Sequence, residues 1–115
     1  RNADAETLES LRQAFQQALD VVEAAFGDHA FQRWQPDKRR WRRPVVAALY
    51  DAEMIGSIGF DPDQLAAKQD DIIAGLQKLF TTKRFREATE AATNAKRALT
   101  YRIDAIHKLL RQVTR

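Results

Sequence analysis

LESLRQAFQQALDVVEAAFG, Leu8 to Gly27, sets the fold class of this 115-residue chain. Leu8, Leu11, Phe15, Ala18, Val22 and Ala25 recur at steps of three and four, with Glu9, Arg12, Gln16, Asp20 and Glu23 on the other side. That is the period of an amphipathic helix, from about Ala5 to Phe26, with its apolar stripe turned to a core and Phe15 pointing inward. Gly27 follows the last apolar residue and stops the helix, because glycine takes the left-handed conformation without a Cβ penalty.

The same period returns downstream. A short turn of helix, Asp28 to Trp34, leads into a charged connection, and Pro44 suits the first turn of a second helix, where its missing N–H is not needed. Val45, Leu49, Ala52 and either Ile55 or Gly56 supply that helix's buried stripe, and Gly56 and Gly59 end it. Asp61-Pro62-Asp63-Gln64 is a start signal: an Asp cap, proline at the first helical position and Gln three residues after the cap. The third helix then runs to about Phe80, burying Leu65, Ile72, Leu76 and Leu79. Thr81 or Thr82 caps a short fourth helix holding Phe85, Ala88 and Ala92. Asn94 caps a fifth, along which Leu99, Ile103, Ile106, Leu110 and Val113 step at helical spacing. No segment alternates as a strand does. The expectation is an all-α fold, a single bundle of about five helices over residues 1–115.

A chain of this length buries a core without disulfides or metals to staple it. Cysteine is absent, which excludes disulfide frameworks, zinc–thiolate sites and cysteine nucleophiles and fits a cytoplasmic setting. No apolar run approaches the roughly 20 residues of a membrane span, and no signal-peptide pattern opens the chain, so no membrane partner is expected. The chain begins at Arg1 rather than methionine and reads as a fragment of a longer protein. Its net charge of +3 is segregated: residues 1–32 carry −4, 33–43 carry +5, 44–75 carry −5 and 76–115 carry +7. Clustered positive charge attracts polyanions even where the total is small.

Residues able to carry catalysis are scarce. His29 and His107 are far apart, and neither has a metal-ligand partner at i+3 or i+4; near the end of its helix, His107 reads as a surface residue favoured by the helix dipole. Asp61 and Asp63 are explained by capping, and Asp70-Asp71 by a solvated face. Gly56-Ser57-Ile58-Gly59 lacks the Lys-Ser/Thr of a phosphate loop and follows no strand. We therefore expect no catalytic residue, no metal and no cofactor.

RWQPDKRRWRRP, Arg33 to Pro44, is the strongest candidate site. Five of the six residues from Lys38 to Arg43 are Lys or Arg, with Trp41 among them and Trp34 upstream. Such cations neutralise phosphates and release counterions, and a tryptophan stacks on an exposed base or under an arginine. The expected nucleic-acid-binding set is Arg33, Lys38, Arg39, Arg40, Trp41, Arg42 and Arg43. The competing reading anchors the tryptophans on the bundle and lays the arginines over the acidic first and third helices.

Three stretches together resemble a known pattern: FGDHAFQRW (Phe26–Trp34), RRPVVAALYDAEMIG (Arg42–Gly56) and KRFREATEAATNAKRALTYRIDAIHKLL (Lys83–Leu110). Over about residues 20–112 the chain is similar to the C-terminal helical region that follows the ParB-like domain in a family of bacterial proteins. That family includes modification-dependent restriction enzymes of the GmrS type and other anti-phage proteins. In it, nucleotide hydrolysis belongs to the ParB-like domain with its Asp-Gly-Gln-Gln-Arg-like motif, and some members add an HNH nuclease. Neither motif occurs here, so the resemblance carries over no catalytic residue. It implies Phe26, Phe31, Leu49, Phe85 and Ile103 as core and Arg102 as a buried or interface arginine.

The resulting expectation is a non-catalytic helical domain of a bacterial restriction or phage-defence protein. It would support DNA engagement through the basic segment or pack on a ParB-like domain of the same protein. The rival is a protein–protein interaction or dimerisation module with no nucleic-acid role, and homo-oligomerisation is open under both.

Overall fold

In the computed structural model, which describes residues 2–90 and 95–115, the chain is mostly helical. The elements in order are α1 (Asn2–Phe26), a 3₁₀ turn (Gly27–His29), β1 (Gln32–Gln35), β2 (Arg40–Val45), α2 (Ala47–Gly56), α3 (Pro62–Ala67), α4 (Gln69–Leu79), α5 (Lys83–Ala88) and α6 (Lys96–Val113). One core draws on all six helices: Val22, Ala25 and Phe26 of α1, Leu49 and Ala52 of α2, Leu65 of α3, Ile72 and Leu76 of α4, Phe85 of α5, and Ile106, Leu109 and Leu110 of α6, with Phe80 between α4 and α5. Helices α2 and α6 pack against each other more extensively than any other helix pair. They approach closely at Gly56, where a Cβ would lie 2.9 Å from Ile106 Cγ2 and 3.0 Å from the Ile103 carbonyl.

Several sequence signals are realised. Gly27 adopts φ 57° after α1, and Gln69 Nε2 donates to the Ala24 carbonyl at 2.9 Å, satisfying an acceptor that the helix end leaves open. Asp61 Oδ1 accepts from the Asp63 N–H at 3.2 Å with Pro62 at the first turn of α3. Gln64 forms no capping box; its Nε2 donates to the Thr114 carbonyl at the far end of the chain. Thr82 stands at the start of α5, without a side-chain capping bond. The expected roles of Ala92 and Asn94 lie outside the described residues.

Other expectations are corrected. The fold is not all-α: of the helical turn expected over Asp28–Trp34 only the 3₁₀ turn at Gly27–His29 forms, and a two-stranded antiparallel hairpin takes the rest of the connection. Pro44 belongs to β2, and Val45 is exposed. Helix α2 starts at Ala47 and buries Leu49, Ala52 and Gly56, leaving Ile55 outside. The helix expected from Pro62 to Phe80 is two, broken at Lys68, where the chain redirects so that Gln69 meets the end of α1. No glycine or proline marks that break. Leu79, Leu99, Ile103 and Val113 are half-buried rather than central. The largest departure is in α1: Leu8, Leu11 and Phe15 are 65%, 62% and 49% exposed, while Val22 and Ala25 are sealed. Helical period fixes which face is apolar, and here the packed body reaches only the C-terminal half of that face.

Candidate nucleic-acid interface

The basic segment forms an antiparallel hairpin. Gln35 pairs with Arg40, Trp34 with Trp41 and Gln32 with Val45, with a register irregularity between Gln32 and Trp34. Pro44, which has no N–H for a ladder, lies within the irregular stretch, and Gln32 Nε2 donates to the Arg43 carbonyl at 3.3 Å there. The loop Pro36-Asp37-Lys38-Arg39 closes through the Arg39 N–H to the Gln35 carbonyl at 2.7 Å, with Arg39 in the left-handed region at φ 53°. Pro-Asp is itself a turn signal.

The tryptophans are the hairpin's anchor. Trp41 stacks on His29 with centroids 4.4 Å apart and planes at 11°, and meets Trp34 edge-on at 5.2 Å. Both rings are half-buried against the core, and His29 Nδ1 lies 3.1 Å from Gln32 Oε1. Trp41 thus spends a ring face on His29 and its flank on Trp34, an arrangement worth about 0.5–1.5 kcal/mol per aromatic pair beyond area burial. A base cannot stack on that same face.

Arg33 also parts from the other cations. Its guanidinium donates to the Thr89 carbonyl, to Thr89 Oγ1 and to the Arg86 carbonyl at 3.1–3.3 Å, and lies 5.6 Å from the Phe80 ring centroid. Burial lowers its pKa from the ordinary value; Glu90 opposes the shift, and Arg42 and Arg86 add to it. Arg33 therefore ties β1 to the end of α5.

Lys38, Arg39, Arg40, Arg42 and Arg43 are all exposed. Among the described residues none of them forms an ion pair; the two present are Arg12–Glu9 and Arg102–Asp51. Arg40 Nε makes one long hydrogen bond, 3.4 Å, to Gln35 Oε1. Among the described residues, then, no carboxylate of the acidic helices pairs with these five cations.

Behind the hairpin sits a residue that the sequence reading missed. Glu53 is fully buried, its Oε1 accepts from the Phe31 N–H at 2.8 Å, and its Oε2 has no hydrogen-bond partner among the described residues. Burial raises its pKa well above the ordinary 4.5, against the opposing Phe31 bond. Phe31 is held at φ 64°, an outlier for a bulky side chain. Its carbonyl accepts from the Val46 N–H at 2.9 Å, and its ring rests on Tyr50 at 4.8 Å. The hairpin's two ends are thus strapped together and onto α2. One signal was available: Glu53 lies four residues after Leu49 and three before Gly56, on the apolar stripe of α2.

Other candidates are placed elsewhere. His107 is half-buried rather than on a free helix surface, with Nδ1 3.2 Å from the Gly56 carbonyl and its ring edge-on to Phe60. Asp70 and Asp71 are exposed in the first turn of α4, where carboxylates favour the dipole. Ser57 Oγ donates back to the Met54 carbonyl at 3.4 Å. Among the described residues no three His, Asp or Glu side chains gather as metal ligands, and no helix is long and apolar enough to cross a membrane. A groove of about 560 Å³ runs between α4 and α6, with Lys78, Asp104 and Lys108 on its walls and Leu79 and Leu109 at its sides. Arg102, singled out by the resemblance, is buried: it grips Asp51 through Nε–Oδ1 at 2.8 Å and a second nitrogen to Oδ2 at 2.6 Å, and donates to the Ala88 carbonyl at 3.1 Å. Compared with family models, curated proteins and solved structures, the chain finds no match in any of the three.

Proposed function

We propose that this chain is a non-catalytic helical domain that grips the DNA backbone through its basic hairpin. In keeping with the resemblance above, its setting is a bacterial restriction or phage-defence protein of the cytoplasm, where it packs beside a ParB-like domain that does the nucleotide chemistry. The supporting observation is the state of Lys38, Arg39, Arg40, Arg42 and Arg43: exposed, on a hairpin pinned from behind, and without a carboxylate partner among the described residues. Five like charges held close repel one another, and phosphates relieve that repulsion while releasing counterions. Arg33 and Trp41 serve this reading indirectly, by fixing the hairpin's shape. The cations position the duplex without reading bases.

The test replaces Arg39, Arg40, Arg42 and Arg43 with glutamine and titrates labelled duplexes of several sequences across a salt series. Affinity should fall alike for all of them, and the slope of log affinity against log salt should flatten by nearly one unit for each phosphate no longer neutralised. Unchanged binding in the quadruple variant, or none by the parent chain at low salt, would falsify the DNA reading. The hairpin would then face an acidic protein surface. That second reading, an interaction module, draws on the exposed apolar half of α1.

A further inference from the structure

Between α4 and α6 the surface opens into a groove of about 560 Å³, within the range of about 300–1,000 Å³ that small-ligand sites occupy. Helical period builds its two walls. Gly75 and Leu79 of α4 share a face with Lys78, and Tyr101, Ala105 and Leu109 follow one another at every fourth residue of α6. These residues are half-buried or buried and form the floor, while Lys78, Asp104 and Lys108 are exposed at the lips. The floor stays open because Gly75 and Ala105 put almost no side chain into it. Leu109 lies over Gly75 so closely that a Cβ there would collide with Leu109 Cδ1.

We propose that this groove binds a small organic monoanion, a carboxylate or sulfonate carried on an aromatic body. The proposal does not rest on the DNA reading of the hairpin. An apolar floor crossed by a few polar groups is the make-up of a small-molecule site. Tyr101, Leu79, Ala105 and Leu109 would take the body. The Arg84 guanidinium, outside the lining, lies 4.1 Å from the Tyr101 ring centroid and steadies that ring as a cation–π partner. Lys78 reaches the groove from α4 and Lys108 from α6, so an acid group between them meets an ammonium on either side. Among the described residues neither lysine forms an ion pair. Thr82 and Gln112 add neutral hydrogen-bonding groups. Charge sets the valence of the ligand. Lys78 and Lys108 against Asp104 leave the lining with one net positive charge, which a monoanion matches. A second negative charge would stand beside Asp104 and be repelled.

The test titrates the folded 115-residue chain with anilinonaphthalene sulfonate, an aromatic monoanion whose fluorescence rises on binding. One saturable site is expected, with Kd on the order of 1–100 µM. Lys78→Gln with Lys108→Gln should weaken it by about tenfold or more, and uncharged phenylnaphthylamine should bind the parent more weakly by a similar factor. Ala105→Phe fills the floor and should abolish binding; its far-UV circular dichroism checks the fold, and if it does not fold the lysine pair decides alone. A naphthalene disulfonate should compete for the site about threefold less well than a monosulfonate, or worse. Phe15→Ser, which removes exposed apolar surface on α1, and the hairpin variant with four glutamines should both bind the dye as the parent does. Absence of a saturable site overturns the proposal, as does dye binding that survives the lysine pair or a folded Ala105→Phe, or that is lost with Phe15→Ser or the hairpin variant. A disulfonate that competes better than the monosulfonate overturns the monoanion assignment.

Discussion

The backbone N–H of Phe31 donates to the buried carboxyl of Glu53 across 22 residues of sequence, at 2.8 Å. That bond joins a residue in left-handed conformation at the start of the hairpin to the centre of α2. It makes the hairpin's seat depend on the charge state of one glutamate.

The sign of that dependence follows from the raised pKa. Folded Glu53 holds its proton to higher pH than the unfolded chain, which releases it near 4.5. The stability contributed by the neutral carboxyl is complete below about pH 4.5 and falls as pH rises through the window above it, by at most about 1.4 kcal/mol per pH unit. Glu53→Gln keeps an acceptor for Phe31 and cannot ionise. Urea unfolding at intervals from pH 5 to 8 should show the Gln variant gaining on the parent as pH rises; parallel curves would mean that Glu53 is not neutral in the folded state.

The Arg102–Asp51 pair should respond unequally to truncation. The Arg102 side chain is 4% exposed and that of Asp51 32%. Asp51→Ala strands a buried guanidinium, and a loss of about 3–5 kcal/mol is expected, as for breaking a buried pair. Arg102→Met fills much of the space and leaves a carboxylate that water can reach, so it should cost less, about 1–2 kcal/mol. Thermal unfolding of the two variants measures the difference, and the reverse order would show that the pair's weight lies with Asp51.

On the hairpin, stability and binding should separate. Trp41→Ala removes the stack on His29 and the edge-on packing with Trp34, and should lower stability by about 1–3 kcal/mol, as other losses of partly buried aromatic packing do. Arg39→Gly places glycine where the backbone already has φ 53°, so stability should hold or rise by up to about 1 kcal/mol. The same change removes a proposed phosphate ligand and should weaken DNA binding. Calorimetric melting beside a DNA titration reads both effects; a large drop in the melting temperature of Arg39→Gly would show that the loop depends on that side chain.

Two truncations on apolar stripes should behave oppositely. Ile106 is wholly buried against α2 at Gly56, and Ile106→Ala should cost about 2–5 kcal/mol. Phe15 stands clear of the core, so in dilute chain Phe15→Ala should stay within about 0.5 kcal/mol of the parent. Denaturant unfolding at low micromolar concentration checks the pair.

By itself the sequence determined the local and periodic features. The three–four spacing, Gly27, the Asp61-Pro62 start and the scarcity of strand patterns predict a helical chain with Leu49, Leu65, Ile72, Leu76, Phe85, Ile106 and Leu110 inside, and there they are. Those features follow from backbone sterics and a residue's near neighbours. Tertiary structure decided what depends on distant partners. It ended the core at Val22 and left Phe15 outside, because an apolar face is buried only where another element arrives to cover it. It broke α3 from α4 at Lys68 with no glycine or proline to announce it, and beyond the break Gln69 donates to the Ala24 carbonyl near the end of α1. It made strands of QRWQ and RWRRPV, whose burial reads as uniform in one and almost wholly exposed in the other; a two-stranded ribbon packed by its tryptophans shows little of the alternation that reveals a strand. It also sorted the arginines. Arg33 and Arg42 are chemically alike in the sequence, but Arg33 faces three acceptors from α5 and its boundary, while Arg42 faces none among the described residues.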